Sequence, residues 1–421
     1  MLIGLALLLI PCASSAQNRS EDEYTRYELL APDTSSFKII YDVSAVTPGA
    51  AFYFNPIRKG SVARDESVID LASGQPLKFE QVSGADARKA GLANADLEGE
   101  YIKVTLSRPV PAGGEARIRI IKTYQDAKSY FRQGGVIVFD RPLGIKRNAV
   151  VLPPSYELVS CNIPSQILEE PDGRVGISFV NTYPAQAPLV LRARPVTASP
   201  AVTAPTPVTP TVARSTPAAV TAASPPREVP MNRIRVSERA FQDREIVYFL
   251  KDPGTHSFSL YHDYTESREG TDKYLNIVRT GSTVSDPSAK NLDTGEALTV
   301  ETLKGGAITK AGLDIGESVV PSSEVVVIRF PPVKKGHSVR LRIEETYTDP
   351  ARYAIVDGQL MWNRNFGRPR NDVVLPAGWR VTTSSIPATV SMTEDGRVRL
   401  AFVNPRPDSI DVFVKARRGP T

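Results

Sequence analysis

Residues 27–44 read YELLAPDTSSFKIIYDVS, and residues 248–265 read YFLKDPGTHSFSLYHDYT. Each stretch contains a proline turn followed by residues that alternate between an apolar face and a mixed face. The apolar-face residues are Phe37, Ile39, Tyr41 and Val43 in the first stretch and Phe258, Leu260, His262 and Tyr264 in the second. A period of two predicts a β-strand that buries one face.

The similarity between these stretches continues along the chain. The offset is 221 as far as Lys89 and Lys310, and 223 beyond a two-residue insertion. RIRIIKTYQD from Arg117 matches RLRIEETYTD from Arg340, and the pattern DGRV recurs at 172–175 and 395–398. Agreement over roughly 170 residues at a nearly constant offset indicates an internal duplication.

The fold class that follows is all-β, with two tandem copies of an antiparallel β-sandwich-like domain. The apolar-alternating runs are four to ten residues long and are bounded by Gly, Pro, Asn or Asp. A helix is expected only near Ala85–Gly91 and before Leu313. The expected organisation is a signal peptide at 1–16, copy one at 17–195, a linker at 196–229 and copy two at 230–421.

The N-terminal residues MLIGLALLLIPCASSA predict export, to the periplasm, the cell surface or the medium. The apolar run is followed by Pro11 and by the small residues Ser14 and Ala16, which fit a signal-peptidase site. Cys12 leaves lipidation open, although Pro11 departs from a lipoprotein box. The apolar run is shorter than the about 20 residues that span a bilayer, so no transmembrane span is expected in the mature chain. The Pro/Thr/Ala-rich linker is expected to be disordered.

Composition limits the classes of function. The net charge of +5 and the pI of about 9.0 come without a clustered basic tract, so no nucleic-acid partner is expected. Of the three histidines, His256, His262 and His337, the first two would lie roughly 20 Å apart on one strand face, too far to share a metal. No metal, cofactor or phosphate-loop motif is predicted. Cys161 is expected to be a small, semi-buried residue inside a strand.

Two kinds of carboxylate catalysis are relevant to this sequence. Asp293-Thr294-Gly295 resembles the motif of paired-aspartate proteases, but the matched residues 72–74 read Ala-Ser-Gly, so the second carboxylate is missing. A hairpin turn is the favoured interpretation. A hydrolase that uses two distant carboxylates stays open, because such pairs come from separate parts of the chain.

The candidate binding site is a pair of matched basic and aromatic loops, FDRPLGIKRN from Phe139 and WNRNFGRPRN from Trp362. Guanidinium forks suit carboxylate, sulfate or phosphate, and neighbouring aromatic rings can stack on sugars. The alternative is a solvated turn whose aromatic residues pack into the core. The candidate ligand-binding residues are Arg141, Lys146, Arg147, Trp362, Arg364, Phe366, Arg368 and Arg370.

The function predicted from the sequence is therefore a non-catalytic binding or scaffold role at the cell envelope. The partner would be an anionic glycan, a lipid headgroup or a protein, and two tethered copies would favour bivalent contact. The alternatives are a carboxylate-dependent hydrolase and a structural component of an envelope assembly that pairs through sheet edges.

Overall fold

The computed structural model describes residues 23–196 and 244–419. The predicted signal peptide with Cys12, and the predicted linker except Val196, lie outside the described residues. Hereafter the first half means residues 23–196, and the second half means residues 244–419. Two positions are called matched when the sequence offsets align them.

Strands make up most of the first half, as the period-two pattern predicts. They are β1 (Tyr24–Leu29), β2 (Ser36–Ala45), β3 (Phe52–Ile57), β4 (Val62–Asp70), β5 (Phe79–Ser83), β6 (Glu100–Thr105), β7 (Ala116–Gln125), β8 (Tyr130–Gln133), β9 (Val136–Leu143), β10 (Arg147–Val151), β11 (Tyr156–Glu169), β12 (Val175–Val180) and β13 (Ala187–Pro195). A 3-10 turn covers Pro32–Thr34, and the short helix α1 covers Gly84–Lys89.

The second half has strands at the matched places. They are β14 (Arg244–Leu250), β15 (Ser257–Glu266), β16 (Lys273–Ile277), β17 (Thr283–Asn291), β18 (Thr299–Lys304), β19 (Glu324–Arg329), β20 (Val339–Thr348), β21 (Tyr353–Val356), β22 (Gln359–Phe366), β23 (Arg370–Val374), β24 (Trp379–Met392), β25 (Val398–Val403) and β26 (Ile410–Arg418). A 3-10 turn covers Pro253–Thr255, and helix α2 covers Gly306–Lys310. The all-β prediction is confirmed, and both helices lie where the sequence places them.

The chain divides into two compact units that do not follow the two halves. One unit comprises the described residues of Met1–Tyr130 with Leu143–Val150 and Val180–Ala187, and the other comprises Phe131–Pro142, Val151–Phe179 and the described residues of Pro188–Thr421. The copy boundaries at 17–195 and 230–421 stay a prediction. No helix in the described ranges is long and apolar enough to cross a membrane.

In the first unit, β2 pairs antiparallel with β1 and β7, and β7 also pairs with β4. The four apolar-face residues of β2 are buried, as its alternation predicts. A separate three-stranded sheet has the order β3-β6-β5. Helix α1 follows β5, is capped by the Ser83 hydroxyl, which accepts from the Asp86 amide at 3.1 Å, and buries Ala87.

The second unit repeats these pairings in the second half. Strand β15 pairs antiparallel with β14 and β20, β20 pairs with β17, and β16-β19-β18 form a three-stranded sheet. Strand β14 also pairs with β23 in parallel. Strands β22 and β24 both pair with β26. This arrangement places β16, β20 and β22 around one polar region of the core.

Strands β11 and β24 are each 14 residues long, so the expectation of four to ten residues per run is wrong for them. They pair antiparallel with each other inside the second unit, with Cys161 opposite Val390 and Ile167 opposite Ser384. Cys161 is matched to Ser384 and Ile167 to Val390, so the pairing has local two-fold character. The register shifts around the matched Pro164 and Pro387, because proline cannot donate to a strand ladder.

Pro164 also divides the strand partners of β11. Its first part, from Tyr156 to Cys161, pairs with β13, and its last part, from Gln166 to Glu169, pairs with β12. A strand that changes partners can run longer than either sheet needs. This change explains why turn signals alone underestimate its length.

Candidate functional site

The three candidate residues of the first half have different environments. Arg141 is buried on β9, and Lys146 is half-buried before β10. Arg147 begins β10 and is exposed, with its guanidinium carbon 5.9 Å from the centroid of the Tyr24 ring. Of these three, Arg147 alone is an exposed cation.

The aromatic candidates of the second half lie in the core. Trp362 and Phe366 are fully buried on β22, and their ring centroids lie 5.4 and 5.7 Å from that of Tyr248. Phe258 and Phe402 contact the same group of rings. These rings stabilise the sandwich through burial and edge or stacked contacts. They do not face a ligand at the surface.

Arg364 lies between Trp362 and Phe366 on the same face of β22, and its side chain is 10% exposed. Its guanidinium carbon is 5.2 Å from the Phe258 ring centroid and 5.4 Å from that of Tyr347. Its Nη1 atom lies 3.5 Å from Oδ2 of the buried Asp349. Cation–π contacts and this ion pair therefore hold the arginine inside the core.

Asp349 follows β20 and is contacted by three groups. The Ser282 hydroxyl donates to Oδ2 of Asp349 at 2.9 Å. Nε of Arg352 lies 3.9 Å from this Oδ2 atom, which is also the atom that Arg364 approaches. Arg352 in turn donates from Nη1 to Oδ1 of Asn363 at 3.1 Å. The carboxylate thus anchors the outer arginine as well as the inner one.

Arg279 lies between β16 and β17 and completes the group. Its Nη1 donates to Oδ1 of Asn365 at 3.0 Å, and the Asn365 amide also donates to the exposed Asp411. Burial lowers the pKa of Arg279, and the positive charges of Arg364 and Arg352 lower it further. Arg279, Arg352 and Arg364 are named the arginine cluster.

Neutral amides hold two members of the arginine cluster in place. An amide oxygen accepts a hydrogen bond without cancelling the charge of the donor. Asn363 and Asn365 therefore orient Arg352 and Arg279 while their positive charges persist. Asp349 is the one carboxylate that the cluster contacts within 4 Å among the described residues.

Glu345 adds a titratable charge near this group. It is buried on β20, its Oε2 accepts from Nδ2 of Asn276 at 2.6 Å, and its Oε1 has no hydrogen-bond partner among the described residues. Burial raises the pKa of Glu345 to about 6, against the opposing effects of Asn276, Tyr347 and Arg364. The local charge therefore becomes more positive as the pH falls through 6.

The two remaining candidates differ in exposure, since Arg368 is half-buried and Arg370 is exposed. Arg368 places Nη2 3.5 Å from the hydroxyl of Tyr274, and Arg370 is exposed at the start of β23. Arg119 and Arg342 each bind an aspartate through both fork nitrogens, Asp42 at 2.6 and 2.8 Å and Asp263 at 2.8 and 2.9 Å. The guanidinium groups of these two arginines are therefore already paired with carboxylates.

The Asp293-Thr294-Gly295 segment is a hairpin turn, as expected. Gly295 has φ +77°, and its amide donates to the Asn291 carbonyl at 2.7 Å. His262 is buried against Tyr264 and Tyr274, and burial lowers its pKa to about 3, so the imidazole is neutral at pH 7. In the described residues, no group of three or more His, Cys, Asp or Glu could hold a metal ion.

The hydrolase alternative needs two carboxylates separated by about 5–9.5 Å. Glu345 and Asp349 lie four residues apart along an extended segment, so their Cα atoms are about 13 Å apart. Glu345 also packs within the core, beside Asn276 and Tyr347. This acidic pair does not supply the geometry of a glycosidase.

Comparison with known proteins assigns no family. No family model matches the chain, and no curated protein matches it. An M1 zinc metallopeptidase from Deinococcus radiodurans is 14% identical, with 41% of each chain covered and a TM-score of 0.28. An aminopeptidase N family protein from Idiomarina loihiensis is 11% identical, with 41% of this chain and 29% of that chain covered and a TM-score of 0.25. The matched part is less than half of this chain and less than half of each of the two solved proteins. Similarity at this level supports no functional argument.

Proposed function

We propose that the chain is an exported, non-catalytic binding or scaffold protein that holds an anionic group of a cell-envelope polymer at its arginine cluster. The observation that carries this proposal is the support of Arg279 and Arg352 by neutral amides, with Asp349 as the one carboxylate within 4 Å of the cluster among the described residues. Structural arginines are usually neutralised by a dedicated acid, as Arg342 is by Asp263.

The three arginines would have different roles. Arg352 has a side chain that is 33% exposed, and Arg279 is half-buried, so both can offer donors to a ligand. Arg364 is buried against Asp349 and the aromatic rings. It therefore adds positive charge to the site without contacting the ligand. A planar fork binds carboxylate, sulfate or phosphate oxygens through two parallel hydrogen bonds, which gives both strength and orientation.

The predicted export signal and linker are consistent with this role. An exported chain meets acidic polymers in the envelope, and a tether between two folded parts would raise the effective concentration of a second contact. The envelope location and the bivalent mode rest on the sequence patterns of residues 1–16 and 196–229. The carboxylate-dependent hydrolase and the structural envelope component stay the alternatives.

The test uses the full chain and a heparin column as the sulfated-polymer probe, at low and at high salt. Arg352→Ser introduces the residue of the matched position, Ser129, and Arg279→Gln removes the second outer charge. Each variant is expected to weaken retention about tenfold, or about 1.4 kcal/mol, because a charged hydrogen bond is lost. The control is Arg406→Ser, an exposed arginine that pairs with Asp408.

Retention by the wild type that falls in both cluster variants and persists in the control supports the proposal. Equal retention by all four proteins would contradict it, since the cluster would then contribute nothing beyond the general charge. Complete absence of retention at low salt would also contradict it and would favour the assembly alternative.

A further inference from the structure

A cavity of about 390 Å³ lies inside the second unit, beside the strands through which the two halves pair. Its lining includes Tyr156 at the start of β11, Arg174 before β12, Arg380 and Thr382 on β24, and Arg417 on β26. The volume falls in the range of small-molecule sites, about 300–1,000 Å³. None of these residues belongs to the arginine cluster.

Two of the arginines in this cavity face each other across strands. Arg380 on β24 is directly opposite Arg417 on β26. Like charges in directly opposed positions destabilise a sheet pair. Arg417 is neutralised by Glu169, with Nη2 2.5 Å from Oε1, but Arg380 has no side-chain hydrogen bond or ion pair among the described residues.

In the first half, the residue matched to Arg380 is a carboxylate that forms an ion pair. Glu157 is matched to Arg380, and Arg194 is matched to Arg417. Glu157 lies opposite Arg194 in the β11–β13 register, and the two side chains form an ion pair. The fold therefore accommodates a neutral pair here, and the second half has an arginine in place of the carboxylate.

A second donor lines the cavity without a partner. Thr382 is 3% exposed, and its hydroxyl has no hydrogen bond among the described residues. Buried polar groups are nearly always hydrogen-bonded, so an unpartnered hydroxyl beside an unpaired guanidinium points to an absent acceptor. The third arginine, Arg174, is already bound to Asp172 at 2.7 Å.

We propose that this cavity binds a small molecule that carries one oxyanion group, with Arg380 and Thr382 as its donors. The oxyanion takes the electrostatic place that Glu157 fills in the first half. The cavity has the size of one or two sugar rings, and the half-buried Tyr156 lies on its wall. The ligand class is therefore an acidic sugar, with a carboxylate or a phosphate as the charged group.

The experiment is calorimetric titration of the full chain at low ionic strength. The probes are galacturonate, glucose 6-phosphate, inorganic phosphate and neutral glucose. The expected result is binding of galacturonate or glucose 6-phosphate, or of both, without binding of glucose, and the preference between the two identifies the charged group. Arg380→Gln is expected to weaken binding at least tenfold, and Arg406→Ser, at an exposed arginine that pairs with Asp408, is expected to leave it unchanged.

A second variant tests the charge argument without any ligand. Arg380→Glu recreates the Glu157–Arg194 pair, so the protein is expected to fold, to melt at a higher temperature than the wild type and to lose binding of both acidic probes. Absence of binding by all probes, or equal binding by wild type and Arg380→Gln, would overturn the proposal. Binding of inorganic phosphate without binding of either acidic sugar would also overturn it, because the site would then not recognise a sugar.

Discussion

The polar cores of the two halves contain matched carboxylates, and the residue three positions beyond the carboxylate differs between them. In the first half, Asp126 accepts from the hydroxyls of Ser129 at 2.7 Å and Ser61 at 3.3 Å. In the second half, the matched Asp349 accepts from Ser282, and guanidinium nitrogens lie within 4 Å of the same carboxylate. Ser129 in the first half thus corresponds to Arg352 in the second, whereas the inner arginine occurs in both halves, since the buried Arg141 is matched to Arg364.

A second difference is that matched asparagines bind side chains of opposite charge in the two halves. Lys122 donates to the Asn55 side-chain oxygen in the first half, whereas the matched Glu345 accepts from the Asn276 side-chain nitrogen in the second. An amide offers one donor end and one acceptor end, so it accommodates either charge. The asparagine of this region is therefore the same in both halves, whereas the charged side chain that contacts it differs. The charges are the features in which function can diverge.

The largest expected effect comes from removing the inner arginine. Arg364→Met leaves Asp349 buried without its closest guanidinium, and breaking a buried pair in this way costs about 3–5 kcal/mol of the free energy of unfolding. Urea unfolding followed by tryptophan fluorescence measures it well, because Trp362 and Trp379 both lie in the second half. The control is Lys335→Met, at an exposed lysine of the second half, and it is expected to change stability by less than about 0.5 kcal/mol. A cost below about 1 kcal/mol for Arg364→Met would show that the carboxylate does not depend on this arginine.

Glu345 provides the next test, because its charge is unfavourable where it lies. Its pKa is raised from 4.5 to about 6, so the stability it contributes is fully present below pH 4.5 and is lost as the pH rises through 6. Glu345→Gln avoids that loss. The variant should exceed the wild type by about 2 kcal/mol at pH 8 and equal it near pH 4.

The measurement is the urea midpoint as a function of pH, with the exposed neighbour in Glu344→Gln as the control. A constant difference between Glu345→Gln and wild type at all pH values would mean that the carboxyl does not titrate in this range. The hydrogen bond to Asn276 would then dominate its energy.

Much of the fold could be predicted because its signals are local. The alternation of Phe37, Ile39, Tyr41 and Val43 identifies the buried face of β2, and the turn at Gly295 follows from its composition. The length of β11 could not be predicted, because it depends on a change of partner strands at Pro164. A proline usually indicates the end of a strand. Strand β11 continues past Pro164 because it pairs with different strands on the two sides of the proline.

The candidate site was predictable in part. Trp362, Arg364 and Phe366 alternate along one strand, so the burial of the two rings implies that Arg364 lies in the core with them. Arg279 and Arg352 come from separate loops, and no spacing in the sequence brings them together. The available signal was a difference between matched positions, since Arg352 stands where the first half has Ser129 and Arg380 stands where it has Glu157.

The smallest expected effect concerns the pH dependence of anion binding at the arginine cluster. Protonation of Glu345 removes a negative charge near Arg364, so retention on heparin should rise about threefold between pH 7.5 and pH 5.5, or about 0.7 kcal/mol. Sulfate groups stay ionised over this range, and His262 stays neutral because its pKa is about 3. Glu345→Gln should bind at pH 7.5 as the wild type does at pH 5.5 and should lose the dependence. If the variant keeps the same pH dependence, another group controls binding, and the charge difference between Glu345 and Lys122 has only a structural meaning.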